Sequence, residues 1–173
     1  MGALRIKSTP LGLARVFKYI PPGLTMGMKI IAKNKRATYD YTLTERFEAG
    51  LVLVGTEVKS LREGKVTIAE AHIAVDKNGE MWAHNIKIPQ YAFGNINNHE
   101  EARKRKLLLN KKEIELIAHK SQAERLTIVP TIIYFKDSKV KIEIALAKGK
   151  KIHDKRQDAA KKDIERKLRR GEF

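Results

Sequence analysis

The sequence contains no cysteine, few aromatic residues and no long apolar run. Without cysteine there is no disulfide framework, no thiolate metal site and no thiol nucleophile. No apolar stretch approaches the roughly 20 residues that a membrane-spanning helix needs. Aromatic residues make up 6% of the chain, which argues against a protein that stacks long single strands of nucleic acid. These absences favour one modestly sized folded domain, with a cytoplasmic location as the default expectation.

Positive charge is the feature that the sequence has in excess. Among its 173 residues are 36 lysines and arginines against 20 acidic residues, which gives a formal net charge of +16. Self-repulsion of this size opposes the compact state, so it indicates an anionic partner. Nucleic acid is the first candidate, and an acidic membrane surface is the second.

Residues 1–28 differ from the rest of the chain because they carry four basic and no acidic residues. They lack the apolar core of a secretory signal, although this composition faintly resembles a transit peptide. The breaker cluster "YIPPGLTMG" separates them from the remainder of the chain. We predict a disordered N-terminal extension over residues 1–28.

Between residues 29 and 147 the hydrophobic pattern predicts five or six antiparallel strands with two or three short helices. Short strands in this number tend to close into a small barrel, which removes exposed edges. The fold class is therefore mainly β with short flanking helices. The predicted strands are Thr38–Leu43, Phe47–Gly55, a hairpin around Asn78-Gly79, and a pair that flanks Asp137-Ser138.

Two helices have recognisable end signals. In "TEVKSLREG", Thr56 is the predicted N-cap and Gly64 the stop. In "LLLNKKEIELIAHK", Asn110 is the predicted N-cap, and Glu113 stands three residues on in capping-box position.

Residues 148–173 form a basic tail, with eleven basic and five acidic side chains. Ala160, Ile164 and Leu168 share one helical face, but this stripe is too narrow to bury a core. Like charges also weaken an isolated helix. We predict a tail that is disordered or frayed when free and helical from Asp154 to Arg170 when docked.

Catalytic motifs are absent from the sequence. The glycines of "GLVLVGTE" have the spacing of a phosphate-binding loop, but Thr56 stands where lysine is required. Glu45 and Glu48 could hold Mg²⁺ in a nuclease, although solvated carboxylates are the commoner case. We expect no catalytic residue, no metal site and no cofactor.

Two basic segments point to nucleic acid. "RKRKLLLNKK" (Arg103–Lys112) places four consecutive cations before a helix N-terminus, where backbone amides also attract anions. "AKNKRATYDY" (Ala32–Tyr41) combines cations with tyrosines, a combination that suits RNA. The alternatives are a solvated loop for the first segment and a tyrosine buried in the core for the second. The scarcity of aromatics favours a folded RNA, recognised through phosphates and shape.

Five motifs in this order closely resemble the SsrA-binding protein (small protein B) family over about Lys29–Arg170. They are "NKRA" followed by "FEAG", then "GTEVKSLREGK", "RKRKLLLN" and "ALAKGKKIHDKR". The resemblance implies an oligonucleotide-binding-fold barrel that binds the tRNA-like domain of transfer-messenger RNA. It further implies delivery of this RNA, with elongation factor Tu, to stalled ribosomes for trans-translation. A non-enzymatic, monomeric protein with no membrane partner is the corresponding expectation. A generic barrel RNA binder and a ribosomal protein remain alternatives, and in either of them the "FEAG" carboxylate would be dispensable.

The resemblance also assigns RNA contacts in the barrel. Glu48 would accept a hydrogen bond from a base, Leu108 would pack on a base or ribose, and the cations would pair with phosphates. The complete set of predicted contacts is Asn34, Lys35, Arg36, Glu48, Arg103, Lys104, Arg105, Lys106, Leu108, Asn110 and Lys141.

In the tail, the resemblance implies entry into the ribosomal decoding centre and the empty mRNA channel. Gly149 would let the chain leave the barrel, and His153 is suited to stacking on a ribosomal RNA base. The predicted ribosome contacts are Lys148, Gly149, Lys150, Lys151, His153, Asp154, Lys155 and Arg156. The chain departs from the family before Met28, in the end "RKLRRGEF", and at Ile164, where many members carry an aromatic residue.

Overall fold

The computed structural model describes residues 28–170, so the predicted N-terminal extension lies outside the described residues apart from Met28. The elements, in chain order, are β1 (Met28–Lys33), α1 (Lys35–Asp40), β2 (Tyr41–Leu51), α2 (Gly55–Arg62), β3 (His72–Val75), β4 (Met81–His84), a 3₁₀ turn (Asn95–Asn97), β5 (Arg105–Leu108), α3 (Lys111–Ala123), β6 (Thr127–Lys136), β7 (Lys139–Gly149) and α4 (Ile152–Arg170).

The strands pair antiparallel throughout and the pairing closes on itself. From β6 the order runs through β3, β4, β5, β2 and β7, and β7 then pairs with β6 again. Strand β1 adds to β6 from outside this ring. A mainly antiparallel β fold with short helices is therefore confirmed, and the ring of pairings is what the predicted barrel requires. The described residues contain seven strands, one more than the upper limit of the prediction.

The interior of the barrel is filled by alternate aliphatic residues of these strands. Ile133, Ile142 and Ile144 are fully buried, together with Met81 and Leu107. Near its end β7 is buried on both faces, because Ala147 packs in a second small cluster with residues of α1 and β6. Strict alternation therefore fails where a helix covers the outer face of the sheet.

The segment after residue 34 corrects the predicted strand Thr38–Leu43. Residues Lys35–Asp40 form helix α1, which begins where the side chain of Asn34 accepts a hydrogen bond of 2.9 Å from the backbone N–H of Ala37. The alternation of threonine and tyrosine in the sequence mimicked a strand, although an asparagine N-cap is an equally local helix signal. The strand begins at Tyr41 and continues without interruption to Leu51.

The predicted turns and helix ends mostly agree with the structure. Gly79 and the Asp137-Ser138 pair have positive φ angles at their hairpin turns, as such tight turns require. Helix α2 is followed by Gly64, whose φ of 77° is typical of a glycine that ends a helix. Its N-cap is Val54 rather than the predicted Thr56, because Glu57 accepts the Val54 N–H at 2.8 Å.

The last strand of the barrel extends two residues beyond Ala147, where the predicted hydrophobic pattern ends. Strand β7 runs to Gly149, where Lys148 pairs with Thr42 and Gly149 with Tyr41. Helix α4 then covers Ile152–Arg170 and includes the predicted helical segment. The proposal that this segment is disordered when free concerns its behaviour in solution and stays a prediction.

Candidate nucleic-acid interface

Three neighbouring strands bring predicted contact residues together on the outer face of the barrel. Gly50 of β2 pairs with Leu108 of β5 on one side and with Lys141 of β7 on the other. Glu48 lies two residues along β2, and the intervening Ala49 points into the core. Because side chains alternate along a strand, Glu48 shares the outer face with this row. We call Glu48, Leu108 and Lys141 the Glu48 site.

The carboxylate of Glu48 is partly exposed and lies among donors. The hydroxyl of Tyr134 donates to it, the ammonium of Lys136 is 3.4 Å away, and that of Lys141 is 4.0 Å away. Burial alone would raise the pKa of the Glu48 carboxyl, but the Tyr134 hydrogen bond and the two lysine charges outweigh it and lower the pKa. Burial, together with the same contact, raises the pKa of Tyr134. The site therefore presents an ionised acceptor within a cationic surface.

Leu108 and Asn110 complete this part of the surface. Leu108 is 55% exposed, and the absence of a side chain at Gly50 leaves room for it. A Cβ added at Gly50 would be 3.2 Å from the Cβ of Leu108. Asn110 is the N-cap of α3 as predicted, and Glu113 accepts from its backbone N–H and its side-chain amide at 3.1 Å each. The exposed leucine offers an apolar surface beside the carboxylate.

The basic run 103–106 is divided by strand alternation. Arg105 has no exposed surface, and its guanidinium donates to Glu57 at 2.8 Å and to the carbonyl of Ile86 at 2.6 Å. Arg103 is partly exposed and binds Glu57 through two hydrogen bonds of 2.8 and 2.6 Å. The predicted phosphate contact of Arg105 is contradicted by this burial, because its charge is neutralised inside the fold.

Lys104 and Lys106 are the members of the run that face outward. The ammonium of Lys104 is exposed and lies 5.2 Å from the ring centre of Trp82. Lys106 forms an ion pair with Glu80. Both cations can reach an anion at the surface, because neither is enclosed by the core.

Glu57 is the residue of this region that sequence reasoning missed. It is completely buried and accepts hydrogen bonds from Arg103, Arg105 and the N–H of Val54. Burial would raise the pKa of the Glu57 carboxyl, but these hydrogen bonds and the two arginine charges outweigh it and hold the pKa below its ordinary value. An acidic residue in the first turn of a predicted helix was the available signal.

The buried side chain of Asn34 makes hydrogen bonds within the fold. Besides capping α1, its amide donates to the carbonyls of Ile68 and Pro130 at 2.9 and 3.0 Å, and the residue is buried. The structure therefore assigns the Asn34 side chain to the fold and does not support its predicted RNA contact. Its neighbours Lys35 and Arg36 are exposed on α1, and Arg36 forms surface ion pairs with Asp40 and Glu70.

The start of the tail is fastened to α1. The backbone N–H of Lys150 donates to the carbonyl of Asp40 at 2.9 Å, and its ammonium binds Asp158 at 2.6 Å. Lys155 binds the Asp40 carboxylate at 2.7 Å and lies 5.7 Å from the ring centre of Tyr39. The ion pair with Lys155, against a smaller opposing effect of burial, lowers the pKa of Asp40.

The remaining predicted tail contacts face solvent. Asp154 accepts the backbone N–H of Lys151 at 3.2 Å, so one of its oxygens helps to begin α4. Gly149, which was predicted to let the chain leave the barrel, is the last residue of β7 and pairs with Tyr41 of β2. A Cβ added at Gly149 would meet nothing within 4 Å. The exposed members of the predicted set are Lys148, Gly149, Lys151, His153, Asp154 and Arg156.

The acids weighed for a Mg²⁺ nuclease do not converge. Glu45 is paired with Lys120, whereas Glu48 is held by Tyr134 and the neighbouring lysines. Within residues 28–170, no group of three or more histidines and carboxylates could hold a metal ion. In the same part of the chain, no helix combines the length and apolar character that crossing a membrane requires.

The structure is a small antiparallel barrel whose outer face carries exposed cations around the hydrogen-bond acceptor Glu48. These features are typical of a nucleic-acid-binding protein. A model of the family described as "SmpB protein" matches residues 31–172. The chain therefore belongs to the SmpB protein family, which confirms the resemblance found in the sequence motifs.

Known relatives agree with this family. The SsrA-binding protein of Bifidobacterium adolescentis is 55% identical over 131 residues, which is 76% of this chain and 82% of the relative. That of Saccharopolyspora erythraea is 51% identical over 144 residues, 83% of this chain and 90% of the relative. A solved structure described as "tmRNA-SmpB: a journey to the center of the bacterial ribosome" is similar with a TM-score of 0.61 and 41% identity. It covers 72% of this chain, and the match spans 86% of the solved chain.

Proposed function

We propose that this protein binds the tRNA-like domain of transfer-messenger RNA and delivers it to stalled ribosomes for nascent-chain tagging and ribosome rescue. Membership of the SmpB family supports this function, as do the names of its SsrA-binding relatives and the ribosomal context of the similar solved structure. The protein acts as an adaptor in the cytoplasm and not as an enzyme. Elongation factor Tu takes part through the RNA complex.

The observation that carries this proposal is the Glu48 site. A carboxylate cannot bind a phosphate, but it can accept hydrogen bonds from base N–H groups. Its lowered pKa keeps it ionised, and Lys136 and Lys141 offset the repulsion that a lone carboxylate would exert on RNA. Leu108 supplies an apolar contact on the adjacent strand. Phosphates would meet the solvent-accessible cations Lys35, Arg36, Lys104, Lys106 and Lys141, with Arg103 at their margin.

The test is competition binding to the isolated tRNA-like domain in moderate salt, with excess bulk tRNA as competitor. The wild-type protein should retain the tRNA-like domain, whereas equal competition by tRNA would indicate a generic RNA binder. Glu48→Ala should weaken binding roughly ten- to hundredfold, since one good base contact is worth about 1–3 kcal/mol. Glu124→Ala, at an exposed carboxylate after α3, is the matched control and should bind normally.

We further propose that α4 and its basic neighbours contact ribosomal RNA at the decoding centre and in the mRNA channel. His153 is exposed at the first turn of α4, where its ring is accessible to a base. Truncation after Lys151 keeps all of β7 and the Lys150 bonds to α1. It should leave binding of the tRNA-like domain largely intact and abolish peptide tagging on stalled ribosomes. A large loss of RNA affinity in the truncated protein would contradict this division of labour.

A further inference from the structure

The outer face of strands β3, β4 and β5 carries rings and cations that the Glu48 site does not use. In the strand register, His72 lies opposite His84, and Trp82 lies opposite Ala74 on one side and Lys106 on the other. The residues that alternate with them are buried in the core: Ile73, Met81, Ala83 and Arg105. The rings therefore face outward on adjacent strands.

The aromatic rings on this face are held in defined orientations. The imidazoles of His72 and His84 are stacked, with centroids 5.2 Å apart and planes 9° from parallel. The indole N–H of Trp82 donates to Asp76 at 3.2 Å, which fixes the direction of the ring. Asp76 itself is held by the backbone N–H groups of Asn78 and Glu80 at 2.9 Å each. The rings are thus prearranged before any ligand arrives.

We propose that this face binds unpaired RNA nucleotides, with bases stacked on the rings of His72, Trp82 and His84 and phosphates paired with Lys104 and Lys106. We call these five residues the His–Trp face. The inference rests on the proposed function in taking RNA as the ligand. On the outer side of β5, Lys106 and Leu108 are successive outward-facing positions, so the His–Trp face is continuous with the Glu48 site.

The chemistry of the face favours RNA over a protein partner. Aromatic side chains beside cations stack bases of any sequence while the cations follow the backbone. Burial lowers the pKa of His84, helped by the nearby charges of His72 and Lys104, so His84 offers a neutral aromatic ring at neutral pH. Two acids that contact this face, Asp76 and Glu80, are already engaged by Trp82 and Lys106.

The ammonium of Lys104 contacts the Trp82 ring in the free protein and could instead pair with a phosphate of bound RNA. Its ammonium covers Trp82 at 5.2 Å but is itself exposed. An exposed cation–π contact is weaker than the stacking of a base on an aromatic ring. An arriving base can therefore displace the ammonium, which then pairs with the phosphate of the same nucleotide.

Trp82 is the single tryptophan of the chain, so its fluorescence reports directly on stacking. Two probes separate the possible sources of the nucleotide: the isolated tRNA-like domain of transfer-messenger RNA, and ribosomes without that RNA. At least one of them should quench Trp82 emission in the wild-type protein. The double variant with His72→Ala and His84→Ala should bind that same probe about tenfold more weakly, the effect of losing about one stacked base.

Aromatic replacement distinguishes stacking from charge. The variant with His72→Phe and His84→Phe should retain wild-type affinity within about twofold, whereas a contact made through imidazolium charge would be lost in it. His72→Ala alone, at an exposed position, serves if the double alanine variant is unfolded. His119→Ala, at an exposed histidine on α3, is the matched control and should change neither affinity nor quenching.

Two results would overturn the inference: unchanged Trp82 emission and unchanged affinity for both probes, or loss of binding in the phenylalanine variant. Parallel measurements on Glu48→Ala distinguish failure of the His–Trp face from failure of the proposed function. If Glu48→Ala weakens binding of the tRNA-like domain and the histidine variants do not affect either probe, only the His–Trp face is refuted. Equal competition by bulk tRNA for binding of the tRNA-like domain would refute the proposed function. The His–Trp face would still be supported if ribosomes quench Trp82 emission and the double alanine variant binds ribosomes weakly.

Discussion

Replacement of Glu57 by glutamine tests the buried ion pair that divides the basic run. Glutamine has nearly the same size as glutamate, so Glu57→Gln removes the charge without leaving a cavity. Glu57 and Arg105 have no exposed surface, and Nη2 of Arg105 is 2.8 Å from Oε1 of Glu57. Arg103 makes the second ion pair to the same carboxylate at 2.6 Å. The substitution therefore leaves one guanidinium buried without a counter-charge.

The expected cost follows from that burial. Removal of one partner of a buried ion pair typically costs about 3–5 kcal/mol, because the other charge stays desolvated. The guanidinium of Arg105 still donates to the carbonyls of Ile86, Arg103 and Glu101, which favours the lower end of this range. We expect a loss of about 3 kcal/mol in the free energy of unfolding. For a domain of this size that corresponds to a melting temperature about 6–12 °C lower.

The assay is equilibrium unfolding in urea, followed by circular dichroism. The matched control is Glu63→Gln, which removes a surface ion pair with Lys65 of 2.8 Å. Exposed pairs contribute about 0–1 kcal/mol, so the control should unfold almost like the wild type. If Glu57→Gln lowers the free energy of unfolding by less than about 1 kcal/mol, the argument that Arg105 is held by charge is wrong.

The pH dependence of the same variant supplies an independent check. The folded-state pKa of Glu57 lies below the unfolded value of about 4.3. A lowered pKa contributes stability that is fully present above the unfolded value and lost as the pH falls through the folded value. The stability difference between wild type and Glu57→Gln should therefore be constant from about pH 7 to about pH 5 and shrink in more acidic solution. A difference that grows on acidification would contradict this sign.

Two further predictions concern the Glu48 site and the tail. Gly50→Ala should weaken binding of the tRNA-like domain several-fold, because the new methyl group would press on Leu108 at 3.2 Å. Gly55→Ala, where a Cβ meets nothing within 4 Å, should bind normally and unfold with a free energy about 0.5 kcal/mol higher. Asp40→Ala removes the carboxylate that holds Lys155, so amide hydrogen exchange in the first turns of α4 should accelerate. Unchanged exchange there would show that this ion pair does not fasten the tail.

Local signals in the sequence predicted much of the fold. The turn dipeptides at Asn78-Gly79 and Asp137-Ser138 identified both hairpins, because positive φ angles restrict which residues a tight turn accepts. The N-cap at Asn110 was likewise readable from a few neighbouring residues. The prediction failed at Thr38–Asp40, where a short alternating pattern fits a strand and a capped helix equally well. Packing of Ala37 against Val129 and Ala147 selects the helix.

The candidate site was partly predictable for a related reason. The motifs identified Glu48, Leu108 and Lys141 one by one, and the strand register brings them together around Gly50. Tyr134 and Lys136 were missed as partners of Glu48 because they lie 86 and 88 residues away in sequence. Only the position of β6 in the closed barrel makes them neighbours.

By itself, the sequence determined the positive charge, most of the strand and turn pattern and the family of this protein, since all of these are properties of local composition and order. The tertiary structure decided which charges are available to RNA. In the run from Arg103 to Lys106, four cations look equivalent in the sequence. Only Arg105 is fully buried, because Glu57 of helix α2, 48 residues away in sequence, pairs with it inside the fold. Burial of a charge depends on a distant counter-charge, and that pairing exists only in the folded chain.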